Sequence, residues 1–273
     1  GCHQADGIAW RFPLDSYEAA YSVHPQISEQ VSAGLMPPFH AEVTPECAPR
    51  FPWIGDRSLD AEQVQTLARW ASDGAPEGDP SVAAPIPEPA QVALADWDVE
   101  LEPSAPYVAT RGDLQICFPL DPGIDETRWL QAVEVLPGAR QAVHHVQVRI
   151  DTSGASAGQT NEAGWYECTG ALDGVDVGGW LPGAPPIELP GAVGIEVGPN
   201  DAVMMQVHYH VVDDGEYVDA TRLRLRFTEE RPTFVPRMVR IGNDSGPEVW
   251  GGLEPDEDGE RSFVVPAGER EHV

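Results

Sequence analysis

Four of the chain's eight histidines fall in two short apolar stretches, AVHHVQVRI at residues 142–150 and AVMMQVHYH at residues 202–210. Imidazole is the commonest protein ligand for transition metals, and three or four imidazoles on neighbouring segments suit copper or zinc. Both stretches are short and rich in β-branched residues, which predicts two strands. On a regular strand Ala142, His144, Val146, Val148 and Ile150 share one face, and Val143, His145, Gln147 and Arg149 the other. His144 and His145 then point apart. Both reach one ion only if a bulge, a strong twist or a strand end re-aims one of them. In the second strand Val203, Met205, Val207, Tyr209 and Val211 form the apolar face, opposite Met204, Gln206, His208 and His210. A single strand histidine reads as an ordinary hydrogen-bonded residue. The adjacent pair together with a later H-x-H is what points to a metal.

Similar segments recur along the second part of the chain: DWDVELE, DLQICFPL, RWLQAVEVL and TRLRLRF, separated by turns rich in glycine and proline. This spacing predicts a mainly antiparallel β-sandwich or jelly roll over residues 97–235. In TRLRLRF arginine alternates with leucine or phenylalanine, so one face is solvated and one is core. Residues 1–74 read instead as a small all-α domain, with helices at 16–21 and 26–33. A third helix follows Ser58 as N-cap, with Asp60 and Glu62 in its first turn and Val64, Leu67, Ala68 and Ala71 as its apolar stripe. Gly74 supplies its stop. Residues 75–96, with Pro76, Pro80, Pro85, Pro87 and Pro89, form an extended linker, and residues 151–161 a flexible surface loop.

The formal charge is −29 and all 16 basic residues are arginine. Such a surface repels phosphate backbones, so nucleic acid and anionic membranes are poor partners. No apolar run approaches the roughly 18 residues of a membrane span. The chain opens without initiator Met or an apolar leader, the appearance of a fragment or a mature form.

LPGARQAVHHVQVRI, then GWLPGAPPIELP at residues 179–190, then MMQVHYH resemble the first copper domain of the copper type II, ascorbate-dependent monooxygenases. That family includes the peptidylglycine α-hydroxylating and dopamine β-monooxygenases. The shared pattern is an HH pair, G-W-x-P-G-x-x-P with a following Leu-Pro, and a Q-V-H-Y strand, in that order. The resemblance implies that His144, His145 and His208 bind a copper that stores and relays an electron. His210 has no assured counterpart and stands as a possible further ligand. The resemblance also implies a disulfide between Cys117 and Cys168, the alternative being two buried thiols. A disulfide would place the chain in the periplasm or outside the cell. The family's second copper, held by two histidines and a methionine, activates O2 to hydroxylate an aliphatic C–H. No such set follows: residues 236–273 look like the start of a second β domain, cut before that site. His272 is the last histidine, and Met238 reads as core packing.

The N-terminal part resembles the cytochrome c-like module that precedes such domains in some bacterial proteins. The likeness rests on C-H-x-x-x-G-I-A, M-P-P-F and W-x-x-x-G-A-P-x-G-D. It implies haem c, with Cys2 as one thioether, His3 as the proximal ligand and Met36 as the sixth. His24 and His40 are rival axial ligands, and the resemblance assigns Cys47 no role. The expected function is therefore part of a copper-dependent monooxygenase, with a small-molecule substrate and O2 as partners. Its electron donor would be ascorbate or the haem module. A non-catalytic copper or haem electron-transfer protein, and a β-sandwich binding module, are the alternatives.

Overall fold

Side chains that alternate in polarity along each strand sort the chain into two sheets with facing apolar sides. The computed structural model describes residues 2–4, 7–38, 56–82, 93–168 and 174–236. These include three helices, α1 (Tyr17–Ser22), α2 (His24–Ser32) and α3 (Ala61–Ser72). The strands are β1 (Val99–Leu101), β2 (Tyr107–Ala109), β3 (Gly112–Leu120), β4 (Arg128–Leu136), β5 (Val143–Asp151), β6 (Tyr166–Glu167), β7 (Val175–Trp180), β8 (Ile187–Glu188), β9 (Ile195–Val197), β10 (Ala202–Val211), β11 (Tyr217–Asp219) and β12 (Arg222–Thr228).

One sheet runs β6-β3-β10-β5-β7 and the other β1-β12-β4-β8, with β9 also pairing β4; β2 and β11 form a separate ribbon. Neighbouring strands are antiparallel throughout. A shared core joins the two sheets, with Ile116, Phe118, Val146 and Met205 from one and Leu130, Val133, Leu223 and Leu225 from the other. This is the arrangement of a β-sandwich. Each such side chain contributes roughly 1.5–3 kcal/mol by leaving water. In β12 Leu223, Leu225 and Phe227 are buried, as the alternation predicts. The intervening arginines pair with acids on neighbouring segments: Arg222 and Arg224 with Glu100, and Arg226 with Asp96 and Glu188.

The expectation of three short helices holds, with the ends of the first two moved by one or two residues and the cap of the third changed. Asp60, not Ser58, caps α3: its carboxylate accepts from the Gln63 amide while the Gln63 side chain accepts from the Asp60 amide. This reciprocal pair satisfies two helix-end donors, whereas the Ser58 hydroxyl turns to Asp56. Val64, Leu67, Ala68 and Ala71 are half-buried where α3 packs on α2. Among the described residues up to 82, only Val31 and Ala75 are buried apolar side chains. Three helices with so small a core do not by themselves establish a separate domain. Segments beside the helices touch the β part, through Arg11–Asp213 at 2.8 Å and Arg57 Nη1 donating to the Pro182 carbonyl at 2.8 Å.

The loop expected to be flexible after β5 is clasped at its start. The Asp151 carboxylate accepts from the amides of Ser153, Gly154 and Ser156, so the segment begins as a closed turn.

Candidate metal centre

The site grows from the way β5 meets β10. His208 pairs with His145, but the next residue, Tyr209, pairs with Val143, so one step along β10 spans two along β5. His144 is the additional residue of a β-bulge. Regular alternation would send His144 into the core; the bulge sends Val143 there instead. Ala142 and Val143 are fully buried while His144 is exposed. The faces expected for Val143 and His144 are thus exchanged, while Ala142 and His145 keep theirs, and His144 and His145 come to the same side.

The bulge is held by the β4–β5 loop. The amides of Ala142 and Val143 both donate to the Ala139 carbonyl, and the His210 amide donates to Ala142. Ala139 N donates in turn to Asp219 at 2.7 Å, and Gly138 N to the Thr221 hydroxyl at 3.2 Å. Buried Tyr209 donates to the other Asp219 oxygen at 2.7 Å. A Cβ at position 138 would stand 2.6 Å from the Ala220 amide, so only glycine passes there. On the far side, β7 brings Trp180 opposite Val146. A Cβ on Gly179 would lie 2.6 Å from the Val146 carbonyl, so this glycine permits the close pairing of β5 with β7.

The three imidazoles converge through one kind of atom. His145 Nδ1 lies 3.1 Å from His144 Nδ1 and 3.2 Å from His208 Nδ1. One ligand atom from each of His144, His145 and His208 falls within 4.8 Å of the other two. Nitrogens about 2.0–2.1 Å from a tetrahedral ion stand about 3.3 Å apart, so this set fits a metal with little movement. It is also one that hydrogen bonds serve poorly, because His145 Nδ1 faces two other ring nitrogens and carries at most one proton.

Desolvation favours the neutral forms of His144 and His145. Desolvation, then the His208 and His144 rings, push His145 down from 6.5 to about 4. Desolvation and the neighbouring His208 and His210 lower His144 as well. A neutral imidazole offers the lone pair that a metal takes. Asp113, at the start of β3, accepts a short hydrogen bond from His208 Nε2, which holds its own carboxyl below the usual carboxylate range.

Away from the histidines the same outer face of the sheet is closed. Cys117 and Cys168 form a disulfide, packed with Met204 and Tyr166. Gln206 fills the step between, donating to Gln115 at 3.2 Å. The centre therefore sits where the covered half of the sheet face ends.

The remaining expected site residues lie elsewhere. His210 stands outside the three-histidine group: its ring is 6.0 Å from that of His144, and its Nδ1 is 3.5 Å from Asp113. It borders a cavity of about 230 Å³ against Trp10 and Phe12. His3 directs Nδ1 to the Phe12 carbonyl at 2.7 Å, Cys2 Sγ lies 3.9 Å from the Pro182 carbonyl, and Met36 is 39% exposed. These contacts do not by themselves support a haem. His24 is engaged with the Tyr21 carbonyl at 2.6 Å. His40, Cys47, Met238, His272 and the expected second β domain from residue 237 onward lie outside the described residues.

Sequence reasoning passed over Asp113, Gly138 and Asp219. Asp113 had one usable signal, its place at the head of DLQICFPL, but only the register that pairs it with His210 reveals its role. No family model and no curated protein matches this chain.

Proposed function

We propose that the chain carries the electron-relaying copper centre of a copper-dependent monooxygenase, with His144, His145 and His208 as the ligands. The observation that carries this reading is that His145 Nδ1 stands 3.1 Å from His144 Nδ1 and 3.2 Å from His208 Nδ1, with a ligand atom of each ring within 4.8 Å of the other two. The donor set alone suits copper or zinc; the resemblance favours copper. Three motif segments far apart in sequence, the HH pair, the G-W-x-P-G segment and the Q-V-H-Y strand, meet as β5, the end of β7 and β10 of one sheet, in keeping with that family. When bound, the metal would supply reversible one-electron transfer.

The chain's own residues set the conditions for it. The bulge aims both members of the pair, desolvation keeps His145 neutral, and exposed His144 leaves the centre reachable from solvent. Hydroxylation of an aliphatic C–H with O2 is then the reaction of the larger enzyme, with ascorbate or a haem c module held by Cys2, His3 and Met36 as electron donor. The disulfide fits an oxidising compartment, the periplasm or the exterior. A second reading is a copper or haem electron-transfer protein without its own oxygen chemistry.

Titration with Cu(II) followed by EPR is the test. Wild type should take up one equivalent, and His144→Ala, His145→Ala and His208→Ala should each lose most of it while His210→Ala keeps it. A wild type that binds no stoichiometric copper, or a His144→Ala variant that binds normally, would remove the reading. Oxygen uptake by the full-length gene product with a reductant separates the monooxygenase from the electron-transfer protein.

A further inference from the structure

We infer that Asp113 is a positioning residue of the metal centre: its carboxylate fixes the tautomer of His208 so that Nδ1, not Nε2, is left free for the ion. The inference rests on the metal reading of His144, His145 and His208.

The geometry begins with β3, which pairs with β10 so that His208 stands opposite Gln115 and His210 opposite Asp113. Asp113 is therefore diagonal to His208, within reach of its ring along the open part of the sheet face. Its Oδ1 accepts from His208 Nε2 and stands 3.5 Å from His210 Nδ1. A carboxylate can only accept, so Nε2 of His208 must carry the ring proton. A neutral imidazole has one N–H, which leaves Nδ1 as a bare lone pair. That lone pair faces His145 Nδ1 at 3.2 Å, toward the point where the three rings meet. Without Asp113, solvent would not distinguish the two nitrogens, and part of the population would present N–H where the ion must bind. The carboxylate also adds negative charge one ring away from a cation, which strengthens the donor.

Asp113 is well suited to a clean test, because its side chain is 65% exposed and supports no core packing. Long-range 15N–1H spectra of the metal-free protein report which ring nitrogen is protonated, with His208 assigned by the signals lost in His208→Gln. Wild type should show the Nε2–H form of His208, and Asp113→Ala a mixture of both forms. Copper affinity in Asp113→Ala should fall about 10–100-fold, the usual loss when a ligand's hydrogen-bond partner is removed. Asp113→Asn keeps an acceptor oxygen without the charge and should lose less. An Nδ1–H form of His208 in wild type, or wild-type copper affinity in Asp113→Ala, would overturn the inference. Failure of the metal reading has a different signature: wild type takes up no copper, while the His208 tautomer still reports the Asp113 contact.

Discussion

Protons and metal compete for the same lone pairs at His145, and the fold has already tilted that competition. The ring is pushed down to about 4 by desolvation first and then by His208 and His144. Between about pH 6.5 and 4 the unfolded chain binds a proton at this position that the folded chain refuses. Stability of the metal-free protein therefore falls as pH falls through that window, and this group is neutral to stability above it. His145→Gln removes the effect. Denaturant unfolding of wild type should lose stability more steeply than the variant between about pH 7 and 4.5, and parallel curves would show that His145 titrates as an ordinary histidine.

The bulge between β5 and β10 is the element on which the site depends, and the β4–β5 loop is what holds it in place. That loop is tied to the β11–β12 turn through Asp219, which receives Ala139 N on one oxygen and the Tyr209 hydroxyl on the other. Tyr209→Phe keeps the ring, stacked at 4.9 Å on Tyr107, and removes only the hydroxyl. With a buried carboxylate oxygen losing its best donor, the substitution should cost about 1–3 kcal/mol in denaturant unfolding. Copper affinity should fall alongside, because the loop that bends β5 is loosened. A variant as stable as wild type would mean that Asp219 holds the loop without Tyr209.

Across the whole molecule the sandwich carries a covalent staple beside the candidate centre. The Cys117–Cys168 bond closes 51 residues of chain, joining β3 to the segment after β6. Constraining an unfolded chain over a loop of that length is worth about 4 kcal/mol in the chain-entropy model. Replacing both cysteines with serine should lower the unfolding free energy by about 2–5 kcal/mol. Because Met204 and Gln206 of β10 pack against the disulfide, the loss should also loosen the strand that carries His208. An unfolding free energy unchanged within error would show the staple to be redundant with the core.

The long strands, the core face of β10, the alternation of β12 and the candidate ligands His144, His145 and His208 were all legible in the amino-acid sequence. The strands rest on local periodicity, since one of seven to ten residues repeats its pattern often enough to be read, whereas the three histidines rest on the HH pair with its later H-x-H and on the family resemblance. Strands β2, β6, β8, β9 and β11, of two or three residues, repeat nothing and escaped notice. The sequence also showed that the HH pair needs a re-aimed backbone, yet not that Val143 rather than His144 enters the core. That choice belongs to tertiary structure, because the bulge is set by the hydrogen bonds of Ala139 and His210 and by Asp219, eighty residues beyond Ala139. The partnership of Asp113 with His208 was likewise decided only by strand register. Side-chain chemistry is written residue by residue, whereas the meeting of imidazoles from different strands is a property of their pairing in space.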